Sequence, residues 1–159
     1  MATPKFLSYL GIAKEAAHAA GVDPTAVAPT AYIPVKDLKP FDNVKYLTDE
    51  NWRGSMVKDY GLVQGNIHSE FEFSGDVFPD TIPWVFAAVL GDYAKTGSTA
   101  PYSHTIAQKN NGLGQATSYT LTDFNGYNAR AFAGMQGESF ELKFNAEGLL
   151  EYTCMMKGW

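Results

Sequence analysis

His68, Glu70 and Glu72 are residue types that hold a divalent metal, and their spacing of two places all three on one face of an extended strand. Glu70 and Glu72 are also neighbouring carboxylates of the kind used in acid–base catalysis. Ser103-His104-Thr105 sets a hydroxyl beside an imidazole, but adjacent strand residues point to opposite faces and do not make a nucleophile and its base. The remaining histidine is His18. No Gly-x-Ser-x-Gly elbow, phosphate loop, His-Glu-x-x-His helix or dinucleotide fingerprint occurs. The acidic triad alternates with apolar residues as any solvated strand face does, so an enzyme built on His68 or His104 ranks behind structural readings, and no cofactor or metal is expected.

The element that must position these groups runs from Ile67 to Val77. Ile67, Ser69, Phe71, Phe73, Gly75 and Val77 point one way, and His68, Glu70, Glu72, Ser74 and Asp76 the other, the period of a half-buried strand. Pro79 stops it, Asp80 is placed to cap a new helix, and Thr81 to Leu90 is nearly all apolar before Gly91 ends the run, which predicts a helix at about 80–91. If copies of the strand lined a channel, Glu70, Glu72 and Asp76 would repel a phosphate backbone and let DNA slide rather than stick.

With 159 residues the chain is expected to form a single domain over 1–159, one able to bury roughly 70% of its unfolded surface without staples. Charged residues make up 18%, below the roughly 25% usual in globular chains, while Tyr and Phe are abundant. Such a chain is either well packed alone or hides part of its outside against copies of itself. The net charge of −5, with Lys and Arg spread thinly, argues against gripping nucleic acid through a basic patch. The single Cys154 reads as a small buried apolar residue beside Met155 and Met156. Met1 to Tyr9 does not read as a signal peptide, and the about ten apolar residues around Val85 are too few to span a bilayer, so the expectation is a soluble, unprocessed product without membrane insertion.

Phe6 to Ala20 fits either a helix, weakened by about 1 kcal/mol at Gly11, or an extended edge. Gly21 to Pro29 reads as a loop, and Tyr32, Ile33 and Val35 as a short strand that Pro34 confines to a sheet edge. Lys39 to Gly61 is irregular, but its aromatics Phe41, Tyr46, Trp52 and Tyr60 argue for a loop or extended arm that packs on something, a neighbouring subunit or its own domain. Gly91 to Pro101 reads as a connection and Tyr102 to Ala107 as a strand. A meander follows, with strands at Thr117–Phe124, Tyr127–Ala133, Glu138–Phe144 and Leu149–Lys157, joined by a type I′ turn at Asn125-Gly126, by Gly134 to Gly137, and by Asn145 to Gly148. Phe140, Leu142 and Phe144 form its dry face. The architecture is mainly β, antiparallel, with one helix over a sheet face or barrel end.

Several short words in order along the chain carry a family likeness: Gly11-Ile12-Ala13-Lys14-Glu15, Pro29-Thr30-Ala31-Tyr32-Ile33-Pro34-Val35, Arg53-Gly54-Ser55, Pro79-Asp80 opening the apolar helix, Tyr102-Ser103-His104-Thr105, Ser118-Tyr119-Thr120-Leu121 and Glu147-Gly148-Leu149. Over roughly its whole length the chain resembles the major tail tube proteins of long-tailed, siphovirus-like bacteriophages. The resemblance implies an antiparallel β-sandwich or half-barrel with one flanking α-helix, closed into six-membered rings whose inner strands join into one barrel and which stack into a tube. It implies as partners further copies of the chain, a tape-measure protein in the lumen during assembly, other tail proteins, and DNA passing through without sequence-specific binding. It places the protein in the virion tail, made in the host cytoplasm. It also assigns the arm at about 39–61, with Phe41, Tyr46, Trp52, Arg53 and Tyr60, and the N-terminal residues to contacts between subunits or rings, and Glu70, Glu72 and Asp76 to a lumen or subunit face. The alternative is a monomeric β-barrel binding a small apolar ligand under the helix, beside Trp84 and Phe86.

Overall fold

The computed structural model describes residues 8–16, 25–49, 54, 61–110 and 117–158. Its elements are β1 (Tyr9–Lys14), β2 (Ala31–Ile33), β3 (Asp37–Thr48), β4 (Leu62–Asp76), α1 (Ile82–Leu90), β5 (Gly91–Thr96), β6 (Ser103–Gln108), β7 (Tyr119–Phe124), β8 (Ala129–Lys143) and β9 (Glu151–Gly158). Seven strands form one sheet in the order β2-β1-β7-β8-β9-β4-β3, every pair antiparallel, and β5 and β6 make a separate ribbon. No helix among the described residues is long and apolar enough to cross a membrane.

The long strand β8 serves two halves of the sheet. Its first part pairs with β7 up to Met135, and from Gln136 to Lys143 it pairs with β9, with a register shift on each side of the change. Gly134 to Gly137 is therefore a bend inside one strand and not the turn between two strands that the sequence suggests. Glycine is needed there because the helix lies on the backbone: a Cβ on Gly137 would sit 2.8 Å from Cα of Val89 and 2.9 Å from the carbonyl oxygen of Ala88. Folding at the bend turns the two halves face to face, so that Phe71 of β4 meets Phe132 of β8 edge-on with ring centroids 5.2 Å apart. Leu10, Ile12, Leu121 and Met135 come from one half, Phe71, Phe73, Cys154 and Met156 from the other, and Val85 and Ala88 from α1; all are buried. Each large apolar side chain fully buried in this way contributes roughly 1.5–3 kcal/mol.

The alternation read over Ile67–Val77 matches the outcome in its central part, Phe71, Phe73 and Gly75 being buried and the intervening residues half exposed. The helix ends as expected, with Gly91 left-handed at φ 85° and its N–H donated to the Ala87 carbonyl. Its start differs: the cap position is Thr81, not Asp80, and no side chain caps it. The Phe78 carbonyl already accepts the amides of Thr81 (3.2 Å) and Ile82 (2.9 Å), which leaves Asp80 no role there.

Between the two alternatives for the N-terminal stretch, the extended one holds over Tyr9–Lys14, where β1 pairs with β7 along its length. Residues 25–30 then cross the far face of these strands, with the Val27 amide donated to Oγ1 of Thr120 and the Thr30 amide to the Ile12 carbonyl. Oε1 of the buried Glu15 accepts from Oγ1 of Thr120 (2.6 Å) and from the Gly134 amide (2.9 Å), tying β1, β7 and the bend of β8 together. β2 lies at the sheet edge, and the expected connection after Gly91 is in fact strand β5. The Asn125-Gly126 hairpin exists, but as a four-residue loop in which only Gly126 has positive φ. Asn125 works there through its side chain, whose Oδ1 accepts the amides of Tyr127 and Asn128. Phe144 falls just past the end of β8 and is 81% exposed, not part of a dry face.

Candidate assembly surface

The polar residues of β4 lie on the outer face of a four-stranded half-sheet, β3-β4-β9-β8. They do not converge on a metal. His68 Nε2 lies 3.4 Å from Glu70 Oε1 and 3.3 Å from Asn43 Nδ2, but Glu72 turns instead to Lys39 at 3.0 Å. Among the described residues no three His, Cys, Asp or Glu side chains are placed to share an ion. The register explains the pairing, because Glu72 stands opposite Lys39 and Glu70 opposite Lys157. Lys157 bridges Glu70 (3.6 Å) and Glu138 (2.6 Å), and Lys36 bridges Asp76 and Glu151, both at 2.6 Å. Hydrogen bonds to these carboxylates hold all three lysines above the usual ammonium pKa. The acidic face anticipated from one strand is thus a ladder of cross-strand ion pairs, on which Asp37, Glu70, Glu72, Asp76, Glu138, Glu141 and Glu151 still outnumber Lys36, Lys39, Lys143 and Lys157.

Beyond this face the two strands β3 and β4 run on alone. β9 ends at Gly158, opposite Ser69, so from Leu62 to His68 the strand β4 has only β3 beside it among the described residues. The irregular stretch expected from Lys39 is therefore strand as far as Thr48, part of a two-stranded arm that leaves the body. Tyr46, 60% exposed, belongs to it, as do Val44, Leu47, Leu62, Val63 and Ile67, all exposed; Phe41, also 60% exposed, stands opposite Glu70 at the base of the arm, where β9 is still present. Leu47 and Val63 share one face and Tyr46 and Gln64 the other, so the arm exposes apolar side chains on both sides. Trp52, Arg53 and Tyr60 lie outside the described residues. The apolar members Val44, Leu47, Leu62 and Val63 were not singled out from sequence, since a strand exposed on both faces has no wet and dry alternation to read.

The half-sheet also ends in two open edges. β3 is the last strand on one side, and on the other β8 has no strand beside it past Met135 among the described residues. A third feature is a cavity of about 350 Å³ beside α1, lined by Pro79, Pro83, Trp84 and Tyr119 with Lys14, Asp80 and His104 among its polar groups. Trp84 is where the small-ligand reading puts it, but Phe86 is not: it packs against Phe140 at 5.0 Å, on another side of the helix. His104 Nδ1 is engaged by the Tyr93 hydroxyl at 2.7 Å, and the two rings stack. Cys154 is fully buried, and burial pushes its thiol up to about 12.

Among the described residues the fold thus has two open sheet edges and an arm with exposed apolar residues on both faces, features by which strands pair with further chains. The family profile for phage tail tube proteins matches residues 6–159, and the chain belongs to that family; it is a structural protein of the virion tail. Among solved structures it is similar to a chain in the virion of a native gene transfer agent particle (TM-score 0.52, 8% identity, 79% of each chain covered). It is also similar to a chain from the tail of an empty gene transfer agent particle with C6 symmetry (TM-score 0.45, 8% identity, 79% of this chain and 77% of that). The SPP1 tail tube is a further match, with TM-score 0.45, 12% identity, and 94% of this chain and 73% of that one covered. None of the curated proteins matches the chain in sequence.

Proposed function

We propose that copies of this chain close into a ring by pairing β3 of one subunit with the open part of β8 of the next, and that the rings stack into the tube. The observation that carries this is the direction of the two open edges. β3, β4, β9 and β8 alternate strictly, so β3 and β8 run in opposite senses. A neighbour's β8 laid against β3 is then antiparallel, and four strands per subunit continue the alternation around the ring without a parallel seam. Closure removes both exposed edges.

The ion-paired outer face would line the lumen, with its excess of carboxylates repelling the DNA backbone so that DNA slides through without being held. The same reading takes six subunits per ring, a tape-measure protein in the lumen and contacts with other tail proteins, and membership of the tail tube family supports it. The arm, with Tyr46, and Phe41 at its base would bury their apolar surfaces on neighbouring subunits. The working chemistry is backbone pairing and apolar burial, not catalysis.

The test is crosslinking in assembled tubes. With one cysteine at Glu141 on β8 and a second placed in turn at Asp37, Lys39, Phe41 or Asn43 along β3, a short bis-maleimide should join copies, for the pair in register, into a ladder that ends at the ring number. Tubes that give no such ladder would overturn the edge assignment. Purified chain that stays strictly monomeric at high concentration by sedimentation and electron microscopy would overturn the assembly reading itself.

A further inference from the structure

We propose that Tyr127 of one copy docks into the cavity beside α1 of the copy stacked on it, so that each ring is keyed to the next by a knob and a hole. This rests on the reading that copies stack head to tail. Tyr127 is 84% exposed on the tip between β7 and β8. The tip itself is rigid: Asn125 Oδ1 accepts the amides of Tyr127 at 3.1 Å and of Asn128 at 2.9 Å, and the Asn125 amide is donated to the Asn128 carbonyl. A tyrosine with a fixed backbone and an unoccupied ring is the kind of residue that anchors an interface at small entropic cost.

The hole fits such a side chain in size and chemistry. At about 350 Å³ it lies at the small end of ligand pockets. Trp84, Pro83 and Tyr119 offer an apolar wall to a ring, and Lys14, Asp80 and His104 offer polar partners to a phenol hydroxyl. Placement selects the occupant. Tyr127 sits two residues before β8 begins, beside the end of β7. The hole includes Tyr119 at the start of β7 and, paired with it, Lys14 at the end of β1. Knob and hole are therefore at opposite ends of β7. Features so placed cannot meet within one chain, and between chains they make a head-to-tail contact, which propagates as an open filament.

A photoreactive benzophenone amino acid at position 127 of the full chain, irradiated in assembled tubes, should crosslink to the peptide carrying Trp84 or to that carrying His104 of another copy. Tyr127→Ser should still form single rings, while the concentration needed for tube growth rises roughly 30-fold, and Tyr127→Phe should retain most of the growth. Crosslinks elsewhere, Tyr127→Ser tubes that grow like wild type, or a co-purifying small molecule filling the cavity in tubes would each overturn the proposal. Wild-type chain that forms no rings would overturn the stacking reading beneath it, and is told apart because it fails before any substitution.

Discussion

From Ser69 to Ser74 the strand β4 lies between β9 and β3 with Phe71 and Phe73 buried, whereas from Leu62 to His68 it has, among the described residues, β3 alone beside it, with Leu62 67% and Val63 63% exposed. The same strand thus carries two kinds of apolar residue. In the body, side chains are buried by their own chain, so one face only is dry and the sequence alternates. In the arm, exposed apolar side chains stand on both faces, and no dry face of the same chain imposes a period. Alternation reports burial within a chain; its loss together with retained apolar residues is the pattern expected where the proposed subunit contacts lie.

The contrast can be broken most forcefully in the body. Phe71→Ala should cost about 3–5 kcal/mol in urea unfolding of the monomer, since it opens a cavity where Phe132 and Phe73 meet. A cost below about 1 kcal/mol would mean that the two half-sheets do not close on each other as described. Gly137→Ala should cost about 1–3 kcal/mol by pushing α1 off β8, read as a lowered thermal midpoint.

Cys154 gives a pH test of the same interior. Its thiol is raised by burial from 9.0 to about 12, so the folded state keeps the proton longer than the unfolded state. The associated stability is complete below pH 9 and is lost as pH rises from there toward 12, by about 1.4 kcal/mol at pH 10. Cys154→Ala should flatten unfolding curves between pH 9 and 10, a window below the titration of the ion-paired lysines; an unchanged slope would contradict the buried thiol. The smallest effect on folding belongs to the arm. Val63→Ser should change monomer stability by no more than about 0.5 kcal/mol while tubes become scarce in micrographs. If it unfolds the monomer instead, the arm belongs to the core and the comparison fails.

The body was legible for a physical reason. Phe71, Phe73 and the apolar run from Ile82 to Leu90 are buried by contacts that impose a period, and Asn125 carries a turn signal in its side chain. β3 was not legible: Leu38, Pro40, Asp42 and Val44 share one face with no consistent polarity, and only pairing with β4 makes them a strand. Gly134 to Gly137 misled because glycine serves a turn and a close helix contact equally well. The acidic face was seen on β4 alone, since Lys39 and Lys157, which temper it, are distant in sequence and arrive by register. Of the exposed apolar residues of β3 and β4, Phe41 and Tyr46 stood out as aromatics in polar text, while Leu62 and Val63 gave no local sign of being uncovered.

The order of strands has a consequence for how the chain is made. β1 is among the first elements to leave the ribosome, yet its partner β7 is synthesised only at residues 119–124, and β9, which seals β4, only at 151–158. The arm, by contrast, is complete once residue 76 has emerged. At ~5–20 residues per second, roughly 4–16 seconds separate the end of β4 from the end of β9. During that interval neighbouring nascent chains on one message carry the same uncovered apolar residues, Phe71 and Phe73 included, at high local concentration. A subunit made to join its copies must first be kept apart from them.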